Sequence, residues 1–323
     1  MTEAPIGVLV MAYGTASGPD DIERYYTDIR GGQTPTPEHL QELKDRYAAI
    51  GNVFPLLDTT RAQAEGIVER LNLEAGCDRF RSYLGMKHSE PSVAQAVQAM
   101  HADGVERAVG IVMAPHWSGM SVETYIERAI GAADGEPGFT FVRSYHDHPG
   151  FIGFLTDRVA SVLDRLPADE RENATVIFSA HSLPVRTLDD GTQRCKTCDC
   201  DASCRYRDGL QQTADLVAER LGLDDYVIAW QSAGRTDDPW WGPPVERAIE
   251  ELAVAGRDAV VVCSAGFVAD HLEILYDLDI EARELAEEAG LRFERTEMPN
   301  ADPAYLDVLA TIVREHLTEV PAG

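Results

Sequence analysis

Lysine is scarce in this chain of 323 residues, which has 3 lysines beside 25 arginines and a formal net charge of −27 at pH 7. Because such an acidic surface repels nucleic acids and anionic membranes, we expect neither as a partner. No apolar run approaches the roughly 18 residues that a membrane span needs, so we expect no stable membrane insertion. No charged segment precedes the first apolar run at 6–11, so we expect a cytoplasmic protein without a signal peptide.

Four of the six cysteines lie within ten residues, at Cys195, Cys198, Cys200 and Cys204. This Cys-x2-Cys-x-Cys-x3-Cys run can place four thiolates around one metal centre. Cytoplasmic thiols stay reduced, which favours metal binding over a pair of disulfides. The thiolate preference of [2Fe-2S] clusters favours such a cluster. Zinc is the alternative, although its four cysteines usually form two pairs separated by a longer loop.

Apolar runs alternate with segments of helical periodicity, and they do so twice along the chain. The first set of runs spans 6–12, 80–84, 108–114 and 139–142, and the second spans 174–180, 226–230, 259–265 and 291–294. In the second half we predict helices at 210–221, 244–255 and 271–288. This order predicts an α/β fold with parallel sheets and helices on both faces, in which ligands bind beyond the carboxyl ends of the strands.

The predicted strand ends carry unusual chemistry. Tyr13 follows the first strand of the first half, and His181 occupies the corresponding position in the second. Further ends carry the segments 85–88, 115–118 and 266–273. A cleft lined by these side chains suits a flat, partly aromatic ligand that handles protons or metal. No glycine-rich phosphate-binding pattern follows any predicted strand, which argues against a nucleotide enzyme.

Four segments, at 11–14 (MAYG), 85–88 (GMKH), 179–184 (SAHSLP) and 266–273 (GFVADHLE), resemble the signature segments of the ferrochelatases. The stretch 21–30, with Arg46 and Tyr47, resembles the coproporphyrin ferrochelatases of Gram-positive bacteria. The cysteine run resembles the internal [2Fe-2S] site of some actinobacterial members. Phe54 departs from the pattern, because a serine that contacts a propionate commonly stands there.

The resemblance implies two similar Rossmann-like lobes, each with a four-stranded parallel sheet flanked by helices, and a porphyrin cleft between them. We place the lobes at 1–150 and 151–300, with the cysteine-rich insertion at 186–209. We expect a C-terminal helix within 301–323 to pack back on the first lobe.

The resemblance also implies roles for individual residues. His181 would face the porphyrin centre with Glu273 as its partner at the iron, and Tyr13 would contact the metal from the opposite face. Asp277 and Glu281 would provide a path or outer site for iron or magnesium. The remaining expected substrate contacts are Arg30, Arg46, Tyr47, Ser121, Tyr125, Lys87, His88 and Trp230. His271 is a further candidate for the cleft wall.

Structural alternatives remain open for several of these residues. Glu273 stands three residues after Asp270, where a capping-box glutamate would lie. Glu273, Asp277 and Glu281 also recur every fourth residue, as on a solvated acidic helix face. Arg30 and Arg46 could each pair with a nearby acid, and Ser121 could cap a helix.

From the resemblance we predict an enzyme that inserts Fe(II) into coproporphyrin III, releasing two protons and forming coprohaem. We expect a monomer that passes its product to downstream enzymes of haem synthesis. A chelatase for cobalt or nickel is one alternative, because these ions bind N/O sites more tightly than Fe(II). A haem-binding or redox-sensing module built around the cysteines is the other.

Overall fold

Two parallel four-stranded sheets form the centre of the computed structural model, which describes residues 4–198, 200 and 204–319. The strands are β1 (Ile6–Ala12), β2 (Phe80–Met86), β3 (Arg107–Val112), β4 (Gly138–Val142), β5 (Ala174–His181), β6 (Val185–Thr187), β7 (Gln193–Cys195), β8 (Tyr226–Gln231), β9 (Ala259–Cys263) and β10 (Arg292–Arg295). The first sheet has the order β2-β1-β3-β4 and the second β10-β9-β5-β8, while β6 and β7 form a short antiparallel ribbon.

The central strands are apolar because both faces of each sheet are covered. Every residue of β1 and of β9 is buried, as expected for a parallel sheet between two layers of helices. The register pairs Ile6 with both Phe80 and Arg107, so the carboxyl ends of these strands lie along one edge. The predicted α/β fold with two Rossmann-like lobes is confirmed.

Twelve α-helices surround the sheets in the described part of the chain. They are α1 (Ile22–Ile29), α2 (Pro37–Ala49), α3 (Leu56–Ala75), α4 (Val93–Ala102), α5 (Val122–Ala133), α6 (Pro149–Arg165), α7 (Ala168–Glu172), α8 (Arg205–Leu221), α9 (Val245–Val254), α10 (Leu272–Leu275), α11 (Arg283–Glu288) and α12 (Pro303–Glu319). Within the described ranges, no helix is both long enough and apolar enough to cross a membrane.

Two features join the lobes. Helix α12 packs against α3 of the first lobe. The buried Gln63 amide on α3 donates to the carbonyls of Val268 (3.1 Å) and Asn300 (2.8 Å) in the second lobe. Because these bonds are buried and polar, they specify one placement of α3 against the loop after β9.

The predicted continuous helix at 271–288 is wrong in its middle. Helix α10 has a single turn, a π-helical segment follows at Asp277–Ala282, and α11 completes the run. Single π-helical turns are rare and often occur at functional sites. Asp277 and Glu281 therefore lie on a turn that is wider than the α-helical turn predicted from their spacing.

Candidate active site

The end of β1 presents Tyr13 at the edge of the first sheet. The backbone N–H groups of Lys87 and His88 donate to the carbonyls of Ala12 and Tyr13, both at 2.9 Å, so the chain beyond β2 is held beside the end of β1. The Tyr13 side chain remains 45% exposed, and its ring lies 4.6 Å from that of His88. An aromatic hydroxyl is thus available in the space between the lobes.

His181 ends β5, the central strand that corresponds to β1. Its Nδ1 contacts the backbone carbonyl of Ser182, which makes Nδ1 the protonated nitrogen in a neutral imidazole. Its Nε2 then keeps a free lone pair and lies 3.7 Å from a carboxylate oxygen of Glu273. The imidazole can therefore accept a proton or bind a metal at Nε2.

Glu273 lies on the short helix α10, and its carboxylate stands between the side chains of His181 and His271. Its other carboxylate oxygen is 3.6 Å from Nε2 of His271, whose Nδ1 is 2.9 Å from the carbonyl of Ala269. Desolvation acts to raise the pKa of Glu273, but the positive charge of His181 in its protonated form, the hydrogen bond with His271 and the charge of His271 outweigh it and lower the pKa to about 2. The carboxylate is therefore ionised throughout the neutral range.

The capping interpretation of Glu273 is wrong. His271, not Asp270, is the N-cap of α10, and no side chain caps that helix. Asp270 instead accepts a hydrogen bond from the Asn300 amide (2.7 Å) and pairs with Arg295 (3.3 Å). Nothing in the local helix therefore requires a glutamate at position 273.

Tyr13 and Glu273 face the same space from different lobes. Desolvation is the main cause of a raised pKa at Tyr13, and the charge of Glu273 raises it further. The hydroxyl therefore stays protonated at neutral pH. The cleft thus has a neutral phenol on one side and a histidine–carboxylate pair on the other.

Arg46 crosses from the first lobe to the π-helical segment, where it forms an ion pair with Asp277. Ser232 also donates to Asp277, at 2.5 Å, and Glu281 lies 4.0 Å from Arg46. Burial raises the pKa of Asp277 to about 6, although Arg46 opposes the shift. Arg46 therefore has a carboxylate partner in this structure, as expected if it pairs with a nearby acid.

The other predicted substrate contacts differ in their accessibility. Arg30 is exposed at the end of α1, and Ser121 is half-buried at the N-cap of α5, where its side chain makes no capping bond. Buried aromatic side chains form the other group, consisting of Tyr47, Tyr125 and Trp230. Phe54 stacks on Tyr47 at 4.6 Å. Contacts of all these residues with a substrate stay predictions.

Two cations beside Tyr13 have no carboxylate at ion-pair distance among the described residues. Lys87 Nζ lies 5.2 Å from the centre of the Tyr125 ring and 3.4 Å from the carbonyl of Met120. Arg128 donates to the Lys87 carbonyl. Desolvation, followed by the charge of Arg128, lowers the pKa of Lys87 to about 8. The sequence did not indicate Arg128, because it lies in the middle of α5, away from any strand end.

The four clustered cysteines are all buried. The Sγ atoms of Cys195 and Cys204 are 3.0 Å apart. Trp241 Nε1 donates to Cys195 and the Gly119 N–H donates to Cys198, both at 3.4 Å. In the part of the chain that the structure describes, no three His, Cys, Asp or Glu side chains are arranged to hold a metal ion. Residues 199 and 201–203 of the insertion lie outside the described residues.

The ferrochelatase family model matches residues 5–317, nearly the whole chain. The chain belongs to the ferrochelatase family. Its membership makes it a metal-inserting enzyme, and the cleft between its lobes is the candidate active site. The predicted membership of this family is thereby confirmed.

Curated members of the ferrochelatase family match the chain over nearly its whole length. It is 46% identical to the coproporphyrin III ferrochelatase of Anoxybacillus flavithermus, over 98% of each chain. Identity to the coproporphyrin III ferrochelatase of Bacillus subtilis is 44%, over 98% of this chain and 99% of that one. Identity to the coproporphyrin III ferrochelatase of Listeria monocytogenes is 42%, over 96% of this chain and 97% of that one.

Solved structures share the fold at much lower identity. SirB from Bacillus subtilis with Fe3+ superposes with a TM-score of 0.56 at 11% identity, covering 97% of this chain and 95% of that one. CbiX, the terminal enzyme of sirohaem biosynthesis in denitrifying bacteria, superposes with a TM-score of 0.54 at 12% identity, covering 96% of this chain and 99% of that one. These similarities show the two-lobed chelatase fold.

Proposed function

We propose that this ferrochelatase inserts Fe(II) into coproporphyrin III, giving coprohaem and two protons. The observation that carries the proposal is the position of the ionised Glu273 carboxylate, 3.7 Å from His181 Nε2. The names of the relatives at 42–46% identity support the choice of porphyrin. A cytoplasmic monomer that supplies later enzymes of haem synthesis stays a prediction.

The pair meets the two chemical requirements of metal insertion. Two pyrrole N–H protons must leave the ring, and the lone pair on His181 Nε2 is a suitable acceptor for them. The ferrous ion must exchange bound water for nitrogen ligands. An ionised carboxylate beside an imidazole offers it replacement ligands of the O and N types that divalent iron accepts.

Tyr13 completes the arrangement from the other lobe. Its hydroxyl is neutral, so it can contact a metal or a pyrrole without adding negative charge to the cleft. Its 45% exposure leaves it accessible to a planar ligand. We propose that Tyr13 lies on the face of the macrocycle opposite His181.

The porphyrin carboxylates need cations, and the structure favours Lys87 and Arg128 for this role over Arg46. Arg46 is already paired with Asp277, whereas the two cations beside Tyr13 have no acidic partner among the described residues. Arg30 is exposed and could bind a further propionate. Coproporphyrin III carries four propionates, and protoporphyrin IX replaces two of them with vinyl groups.

Steady-state insertion with the two porphyrins tests this proposal. We expect kcat/KM with Fe(II) to be about tenfold to a hundredfold higher for coproporphyrin III, because a vinyl group leaves polar donors unpaired. Assays matched in detergent remove the difference in solubility. Equal use of protoporphyrin IX would refute the substrate, and faster insertion of Co(II) or Ni(II) than Fe(II) would refute the metal.

We also propose that Cys195, Cys198, Cys200 and Cys204 hold a [2Fe-2S] cluster. The chemistry of the donors supports this proposal, because four buried thiols belong to one short segment and two N–H groups donate to its sulfurs. When bound, such a cluster supplies a covalent cross-link of the insertion, and metal insertion itself requires no electron. The four cysteines would then stabilise the segment that leads into α8.

Elemental analysis distinguishes the cluster from zinc. We expect about two iron atoms and two sulfides for each purified chain, with visible absorption that is lost in Cys198→Ser. A colourless protein with one zinc would show that the thiols bind zinc instead. Cys263→Ser is the matched control, because Cys263 is equally buried but lies at the end of β9.

A further inference from the structure

The cysteine segment is hydrogen-bonded to the backbone of the catalytic histidine through Tyr206. Helix α8 begins directly after Cys204, and Tyr206 lies in its first turn. The Tyr206 hydroxyl donates to the backbone carbonyl of His181 at 2.9 Å. The ring is buried, 5.6 Å from the ring of Trp230 and edge-on to His116 at 6.3 Å. This side chain is therefore packed against two other rings.

A second connection runs through Trp241. Its Nε1 donates to Cys195 Sγ at 3.4 Å. Its backbone carbonyl accepts from the Ser182 hydroxyl at 2.8 Å, and its N–H donates to the carbonyl of Leu183 at 3.1 Å. The chain from His181 to Leu183 is thus tied twice to groups that contact the cysteine segment.

The peptide plane after His181 determines where the imidazole points. The His181 carbonyl belongs to the peptide that joins it to Ser182, and the Ser182 carbonyl in turn contacts Nδ1 of the imidazole. Rotation of this peptide would therefore move both the Cα–Cβ direction of His181 and the acceptor that orients its ring. A small error in such a geometry can cost up to about a hundredfold in rate.

We propose that Tyr206 is a positioning residue for His181 and aims Nε2 toward Glu273. Tyr206 touches neither porphyrin nor iron in this role and acts only through the His181 backbone. The proposal rests on the assignment of His181 to proton and metal transfer. In this role the cysteine segment helps to orient His181, because the helix that carries Tyr206 starts directly after Cys204.

Tyr206→Phe in the full-length protein tests the proposal, because it removes one hydroxyl and keeps the packed ring. We expect kcat for insertion of Fe(II) into coproporphyrin III to fall about tenfold, while the Kd for the porphyrin stays within about twofold. Tyr145→Phe is the matched control, since its buried hydroxyl lies 3.2 Å from that of Tyr305, far from His181 in the chain. It should keep the wild-type kcat.

The histidine side chains supply a readout that does not depend on turnover. In protein labelled with 15N-histidine, the imidazole signals of His181 are assigned by their absence in His181→Ala. Tyr206→Phe should shift these signals, and Tyr145→Phe should leave them in place. A wild-type kcat or an unshifted His181 signal in Tyr206→Phe would overturn the positioning role.

The outcome separates this inference from the proposed function. If His181→Ala retains insertion activity, the assignment of His181 fails and the role of Tyr206 fails with it. If His181→Ala is inactive but Tyr206→Phe has the wild-type kcat, only the positioning role is refuted.

Discussion

Replacing Glu273 with glutamine removes a charge from the cleft and changes little else. Glutamine has nearly the same shape, and α10 does not need a capping side chain at this position. The carboxylate lies 3.7 Å from His181 Nε2 and 3.6 Å from His271 Nε2. Glu273→Gln therefore isolates the electrostatic contribution of the carboxylate.

The expected loss follows from Coulomb's law. At 3.7 Å, two unit charges attract by about 4–5 kcal/mol when the effective dielectric constant is about 20. The Glu273 side chain is 31% exposed, so screening by water reduces this to about 2–3 kcal/mol. If that energy stabilises the protonated His181 or the entering iron, kcat should fall about 30- to 150-fold.

Initial rates of Fe(II) insertion under anaerobic conditions measure kcat, and quenching of porphyrin fluorescence measures binding. We expect the porphyrin Kd to stay within about twofold, because Glu273 acts on protons and metal rather than on propionates. Glu284→Gln, at an exposed position on α11, is the matched control. A kcat for Glu273→Gln within about threefold of wild type would show that the charge takes no part in insertion.

Three further outcomes are expected. His181→Ala should lower kcat by about a hundredfold or more with porphyrin binding intact; turnover within about threefold of wild type would exclude it as the base. Lys87→Met should raise the KM for coproporphyrin III about tenfold and leave kcat largely unchanged, whereas an unchanged KM would remove Lys87 from the propionate site. Burial lowers the pKa of His116 to about 3, so the unfolded chain binds a proton near pH 6.5 before the native protein does. Native stability that is complete above pH 6.5 should therefore fall by about 2 kcal/mol between pH 6.5 and 5, and urea unfolding of His116→Gln should show a smaller fall.

Local patterns in the chain were sufficient for much of the fold and for the choice of two candidate site residues. Strand β1 was predicted at 6–12 and occupies Ile6–Ala12, because a run that is buried on both faces must be continuously apolar. Tyr13 and His181 were found by looking just beyond the strands, since parallel strands end at one edge of a sheet. Their exposure and their neighbours could not be inferred in this way.

Contacts between distant segments were decided only by the tertiary structure. Arg46 and Asp277 are 231 positions apart, and they pair because the lobes bring α2 against the π-helical segment. That segment itself departs from the α-helical spacing of its acidic residues, since its wider turn is not encoded in a pattern of period 3.6.

The sequence by itself determined the α/β class and the doubled arrangement, because these depend on hydrophobic periodicity. The resemblance of its strand-end segments to a known family supplied the histidine, tyrosine and glutamate that we propose for the cleft. Only the tertiary structure revealed that Lys87 and Arg128 have no carboxylate partner among the described residues, and that Tyr206 bonds to His181. Whether a charge is paired, or a hydroxyl reaches a carbonyl 25 residues away, depends on packing between elements that no local pattern specifies.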